Sequence, residues 1–220
     1  MRLRIGGRVE RTTCEGPGAR FALWVQGCRI RCAGCCNPQL FAARGGQRVT
    51  TDALAERLRA LAGELEGVTF LGGEPFDQAE PLAELARAAQ SLGLSVMVFS
   101  GYALEELRTR PEARALLAAT DLLVDGPYDR TRPETQRRWV GSTNQRFHFL
   151  TARYRSGIEC VVVREVGVEI APDGTVRLHG WPELLGASRG RASALPRGSL
   201  LVEDSCETHS SGQMPGPARE

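Results

Sequence analysis

A parallel β-sheet covered by helices is the fold this sequence predicts, and three observations predict it. Short apolar runs that read as strands alternate with amphipathic stretches that read as helices. Several of those runs lead directly into a glycine- or cysteine-bearing loop, and in parallel sheets the chemistry gathers at the carboxyl ends of strands. With 220 residues, 42% of them hydrophobic, the chain can build one substantial core and a small appendage.

Residues 1 to 27 read as extended. Arg20 to Gln26 (RFALWVQ) is rich in apolar and aromatic residues and stops at Gly27, just before the first of four clustered cysteines. From Thr50 to Leu65 the spacing puts Leu54, Leu58, Leu61 and Leu65 on one helical face, with Thr51 and Asp52 placed to cap its start. Val68 to Leu71 is a short strand that gives way to Gly72-Gly73-Glu74-Pro75, and the next helix carries Leu82, Leu85, Ala89 and Leu92 on its apolar face. The order recurs in Ser95 to Phe99, the loop Ser100-Gly101-Tyr102 and the helical ALEELRTR. It recurs again in the helical EARALLAAT, which feeds Asp121 to Asp125 (DLLVD).

Beyond Leu150 the alternation weakens. Val168 to Ile170 and Val176 to His179 flank Pro172-Asp173-Gly174, a hairpin signal. The organisation expected is therefore a core domain over 1–150, a β appendage over 151–185 and a tail over 186–220, where Gly, Ser, Pro and Arg dominate and which reads as disordered. Trp24, Trp139 and Phe70 read as core, and His148 and His179 as strand residues.

Composition removes several classes of function. The formal charge is +2, with 28 basic and 26 acidic residues spread along the chain, so no electrostatic footprint for nucleic acid is present. All the basic residues are arginine. A chain without lysine has neither a Schiff-base amine nor a Walker A phosphate loop. No run approaches the ~18 apolar residues of a membrane span, and the start MRLRIGGRVE lacks a signal-peptide core, so the expected location is cytoplasmic. There thiols stay reduced, and clustered cysteines serve metals or catalysis sooner than disulfides.

Cys28, Cys32 and Cys35 form C-x3-C-x2-C, compact enough for one loop to wrap a single polynuclear centre. Cys36 follows Cys35 directly, and successive side chains diverge, so three ligands are counted. Structural zinc takes four ligands in spaced pairs, whereas Cys14, Cys160, Cys206, His148, His179 and His209 stand isolated in the sequence. A zinc-binding adaptor stays open as an alternative. Three thiolates on a four-iron cluster would leave one iron open to a substrate or cofactor.

These cysteines, with GGEP at Gly72 to Pro75, VFSGY at Val98 to Tyr102, DLLVDGPY at Asp121 to Tyr128 and GSTNQR at Gly141 to Arg146, resemble the radical S-adenosylmethionine superfamily. Within it they most resemble the activating enzymes of anaerobic ribonucleotide reductase and related glycyl radical enzyme activases, over residues 10 to 150 in motif order. The resemblance implies a partial, open TIM-like (β/α) barrel, to which the hairpin signal adds the small C-terminal β appendage. It implies one 4Fe-4S cluster on Cys28, Cys32 and Cys35, whose open iron chelates S-adenosyl-L-methionine and whose electron cleaves it to a 5′-deoxyadenosyl radical. Gly34, Cys36, Gly72, Gly73, Glu74, Pro75, Ser100 and Asp125 are the cofactor-binding residues it implies, with the glycines giving backbone access and Glu74 an anionic acceptor. Gly34 occupies a place where many superfamily members carry an aromatic residue. The isolated cysteines do not form a ferredoxin-like set, so no second cluster is expected. The implied partners are a glycyl radical enzyme as protein substrate and a flavodoxin or ferredoxin-type electron donor, with neither nucleic acid nor membrane. A radical enzyme acting on a peptide or small metabolite is the alternative that keeps the cofactor and changes the substrate. The Asn144 to Arg146 stretch reads either as a solvated loop or as one that docks a protein backbone.

Overall fold

The computed structural model describes residues 1–160, 165–170, 174 and 176–180; the expected tail over 186–220 lies outside the described residues. Two long strands open the chain, β1 (Arg2–Thr12) and β2 (Arg20–Val25), followed by the cysteine loop and the short strand β3 (Gln47–Thr50). Then come α1 (Thr51–Leu61), β4 (Gly67–Gly72), α2 (Ala79–Ser91), β5 (Ser95–Phe99), α3 (Leu104–Thr109), α4 (Arg114–Ala118), β6 (Leu122–Asp125) and β7 (Arg146–Phe149). A hairpin, β8 (Val166–Ile170) and β9 (Val176–Gly180), completes the described elements.

One seven-stranded sheet runs in the order β3-β1-β2-β4-β5-β6-β7. Its centre, β2-β4-β5-β6, is parallel and sequential, while β1, β3 and β7 add antiparallel. Sequential parallel strands joined by right-handed crossovers send every crossover to the same side of the sheet. Strand periodicity agrees. Phe21, Leu23, Val25, Val68, Phe70, Val96, Val98 and Leu123 all face one core with Leu54 and Leu58 of α1, Leu82 and Leu85 of α2, Leu107 of α3 and Leu116 of α4.

Among the described residues none of α1 to α4 packs on the opposite face, which is filled in rows. Register places Ala22, Thr69, Met97 and Leu122 side by side, and two residues toward the carboxyl ends it pairs Trp24 with Leu71 and Phe99 with Val124. At the amino ends Arg20 lies beside Gly67, itself beside Ser95. The fully buried Arg20 side chain donates to Thr69 Oγ1 (2.6 Å), Ser95 Oγ (3.0 Å), the Val68 carbonyl (2.6 Å) and the Tyr154 hydroxyl (3.2 Å). The segments after β6 and β7 fold over part of this face, where Trp139, Val140, Tyr154 and Ile158 pack on Met97, Leu122 and Val124.

Three local expectations are corrected. The first helix is capped by Thr50, whose hydroxyl accepts from the Ala53 N–H at 3.2 Å, because Thr51 is already engaged by the N-terminal amine. That helix ends at Leu61, and a 3-10 turn carries the chain on, yet Leu65 still reaches the core. Arg146, expected in a loop, begins strand β7.

Candidate active site

The cysteine loop leaves β2 at Val25 and is pinned at both ends. Gly27 N–H donates to the Leu40 carbonyl (2.8 Å), Cys28 N–H to the Phe41 carbonyl (3.2 Å), and the Gln26 amide to the Gln39 and Ala42 carbonyls (3.2 and 2.8 Å). Inside it, Arg31 adopts a left-handed conformation (φ 53°) that few non-glycine residues take without cost. Burial pushes the Cys28 thiol up, opposed by the N–H groups of Arg31 and Ile30, which point at its sulfur. Burial likewise raises Cys32, opposed by the Tyr128 N–H, a donor from the loop after β6. N–H groups aimed at sulfur in this way stabilise thiolate and tune a metal centre bound to it.

The GGEP turn meets the cysteine loop backbone to backbone. Gly73 N–H donates to the Val25 carbonyl and Glu74 N–H to the Gly27 carbonyl, both at 2.8 Å. A Cβ on Gly73 would stand 2.2 Å from the Gly27 oxygen, and one on Gly72 (φ 104°) 2.7 Å from Trp24 Cα. The paired glycines are therefore required by the neighbouring strand itself. Glu74 is buried, 1% exposed; its carboxylate accepts from Phe76 N–H, Ser100 Oγ and Gly101 N–H, each at 2.9 Å. Burial pushes its carboxyl up to about 7 against the pull of those three donors. Glu74 thus ties the loop after β4 to the loop after β5.

A cavity of ≈ 510 Å³ lies where these loops converge. Cys28, Cys32 and Cys35 all line it, together with Cys36, Gly72, Gly73, Glu74 and Ser100 among the residues expected from sequence. Gly34, Pro75 and Asp125 do not. Gly34 (φ 80°) lies exposed on the turn before Cys35, facing Arg130 and Tyr128, and Pro75 starts the 3-10 turn Pro75–Gln78. Asp125 is turned into the protein: it accepts from Leu104 N–H (2.6 Å), capping α3, and from the Arg146 guanidinium (2.5 and 2.9 Å), with His148 Nε2 at 3.0 Å. Burial raises its pKa, but Arg146, the Leu104 N–H and His148 outweigh it and hold the carboxyl below its usual range.

Sequence reading missed several wall residues: Glu15, Tyr128, Gln145, Leu178 and His179, with Trp24 and Trp139, read as core, also facing the cavity. The place of Trp24 near the end of a strand that leads into the cysteine loop is the available signal. GSTNQR turns out to be a brace. The Gln145 side-chain oxygen accepts from Gly141 and Ser142 N–H (2.9 and 3.1 Å), Asn144 Nδ2 donates to the Pro127 carbonyl (2.7 Å), and Arg146 holds Asp125. The motif therefore fixes the DGPY loop that aims Tyr128 N–H at Cys32.

The three thiols fit an iron-sulfur cluster by donor chemistry and by place, at the wall of one cavity of adequate size. Among the described residues no group of three His, Cys, Asp or Glu is gathered tightly enough for a single ion.

The family described as a 4Fe-4S single cluster domain matches residues 14–148. The anaerobic ribonucleoside-triphosphate reductase-activating protein of Enterobacteria phage T4 is 32% identical over 137 residues, covering 60% of this chain and 85% of the relative. Those of Vibrio cholerae and Escherichia coli are 31% and 30% identical over 145 and 147 residues, each covering 62% of this chain and 92% of the relative. The solved structure of QueE from Escherichia coli shares a TM-score of 0.36 at 16% identity, over 46% of this chain and 53% of that one, a likeness too slight to bear weight. The cysteine loop, the cavity and the matched span agree: this chain belongs to the 4Fe-4S single cluster family and, within it, to the radical S-adenosylmethionine activating proteins of anaerobic ribonucleoside-triphosphate reductase.

Proposed function

We propose that this protein generates a glycyl radical on an anaerobic ribonucleoside-triphosphate reductase, with Cys28, Cys32 and Cys35 as cluster ligands. One observation carries the reading: the three cysteines, Gly72-Gly73-Glu74 and Ser100-Gly101, far apart in sequence, line a single cavity at the carboxyl ends of β2, β4 and β5. When bound there, the 4Fe-4S cluster and S-adenosylmethionine supply a one-electron cleavage of the sulfonium that yields methionine and a 5′-deoxyadenosyl radical.

The chain's own residues do the rest. Ile30, Arg31 and Tyr128 direct N–H groups at the ligand sulfurs and so favour the thiolate form. Gly72, Gly73, Ser100 and Cys36 present the cofactor wall, while Glu74 holds the two loops in register. Trp24, Phe99, Leu71 and Trp139 make much of that wall apolar, which keeps water from a reactive radical. The sheet, with sequential parallel strands and helices on one side, is the arc of a partial (β/α) barrel under this reading. A flavodoxin or ferredoxin-type protein supplies the electron, and the cytoplasm supplies the reducing conditions the thiols need.

Electron paramagnetic resonance of anaerobically reconstituted, dithionite-reduced protein, with and without S-adenosylmethionine, tests this together with an assay for 5′-deoxyadenosine. A cluster signal that shifts on adding the cofactor, 5′-deoxyadenosine formation and a glycyl radical on added reductase are expected. Stoichiometric zinc with no iron or sulfide would sink the proposal.

A further inference from the structure

The matched family span ends at residue 148, but the cavity wall continues beyond it. Leu178, His179 and Gly180 of β9 line the same cavity as the cluster cysteines. The hairpin is seated at defined points. Gly180 N–H donates to Glu15 Oε1 (2.9 Å), His179 Nε2 lies 2.9 Å from Thr12 Oγ1, and the His179 ring meets Trp24 edge-on at 6.2 Å. Arg138 Nη2, from the loop after β6, bonds Glu165 Oε2 at 2.9 Å at the foot of β8. At Gly180 (φ 81°) a Cβ would stand 2.9 Å from Cys14 Cβ, so the strand end fits closely against the body.

Antiparallel register pairs Val168 with Leu178 and Ile170 with Val176, which puts all four side chains on one face of the hairpin. Leu178 belongs to the cavity wall, whereas Val168, Ile170 and Val176 are 48%, 71% and 38% exposed. The result is an apolar stripe that starts in the cavity and runs out onto the surface. Exposed apolar side chains in such a continuous run mark an interaction site.

We infer that this stripe docks the protein substrate, the polypeptide that carries the target glycine. The inference rests on the glycyl radical reading above. A glycine inside a polypeptide reaches a cavity only if the chain on either side of it crosses the mouth, and the hairpin rims that mouth. Covering it also excludes water while the radical exists. A partner seated there gains apolar burial where the stripe is exposed and continues along Leu178 into the site.

The test uses the full chain, reconstituted anaerobically, with Ile170→Asp, Val176→Asp and the milder Ile170→Ser. Two quantities are read: 5′-deoxyadenosine formed with dithionite and no partner, and glycyl radical formed on the anaerobic ribonucleoside-triphosphate reductase of the same organism as its concentration is varied. Cofactor cleavage without partner is expected to stay within about twofold of the parent, while the half-saturating reductase concentration rises about tenfold or more, the loss of roughly one good apolar contact. Unchanged reductase dependence overturns the inference. Loss of thermal stability in all three variants, with both readings falling together, overturns it too, because the stripe is then covered by the chain's own later residues. A parent protein that cleaves the cofactor yet leaves the reductase without a radical refutes the glycyl radical reading itself; a parent that makes the radical, with variants equal to it, refutes the docking alone.

Discussion

At the scale of single residues, burial sets the three proposed ligands apart from Cys36, the cysteine beside them in sequence. Cys28, Cys32 and Cys35 are half-buried, while Cys36 is exposed and its sulfur lies 3.5 Å from its own neighbour's amide, Asn37 Nδ2. Cys32→Ala is expected to abolish the cluster's visible absorption and cofactor cleavage, and Cys36→Ala to retain most of both; equal loss in the two would refute the ligand assignment. Glu74 allows a prediction with a sign. Its folded pKa of about 7 lies above the ordinary carboxylate value, so its contribution to stability is full below about pH 4.5 and is lost as pH rises through 7. Glu15, pushed by burial to about 7 as well, acts in the same window. Urea unfolding from pH 4.5 to 8 is expected to show stability falling with pH from these groups, less steeply in Glu74→Gln. That variant also costs about 1–3 kcal/mol throughout, because either orientation of its amide aims N–H at a buried backbone N–H, of Phe76 or of Gly101. Asp125 runs the other way: its depressed pKa contributes stability above the unfolded value that is lost only as pH falls through the folded one.

At the scale of elements, the central strands and the two long helices were legible because their apolar patterns are strong and the core enforces them. The edges were not. The burial of β3 follows no alternation, with Val49 alone partly covered in Gln47–Thr50, and it exists because β1 offers an unpaired edge. Likewise β7 (RFHF) starts at Arg146, where the sequence reads as the end of a polar loop, and pairs with β6. Thr51 and Asp52 read as the caps of α1, but the N-terminal amine engages Thr51 and the hydroxyl of Thr50 caps the helix. Thr50→Ala is expected to lower stability by about 1 kcal/mol in denaturant unfolding, the usual cost of a lost cap. In the site, the cysteines, Glu74 and Ser100 were readable from motif and place. The role of Asp125 was not, since the same DGP residues serve whether the carboxylate faces the cavity or, as here, caps α3. Gly73→Ala brings a methyl to 2.2 Å from the Gly27 oxygen and is expected to displace the cysteine loop, read as loss of cluster retention on gel filtration.

At the scale of the whole molecule, the sequential parallel strands put the long helices on one face of the sheet, a division that follows from the handedness of the crossovers. What fills the second face was hidden in the sequence. Arg20 looks like a surface cation at the start of a strand, yet it lies at 0% exposure with Thr69, Ser95, Val68 and Tyr154 around it. Arg20→Met, similar in length but without donors, is expected to cost about 1–3 kcal/mol by leaving buried acceptors unpaired, measured by thermal or denaturant unfolding.

That arginine and the Met97 row above it fill the amino-terminal part of this face, so the open space lies toward the carboxyl ends of the strands. Under the docking proposed above, a protein substrate seated across the hairpin covers the cavity, and methionine and 5′-deoxyadenosine are expected to stay on the complex until the two proteins separate, measured as co-elution of both small products with it.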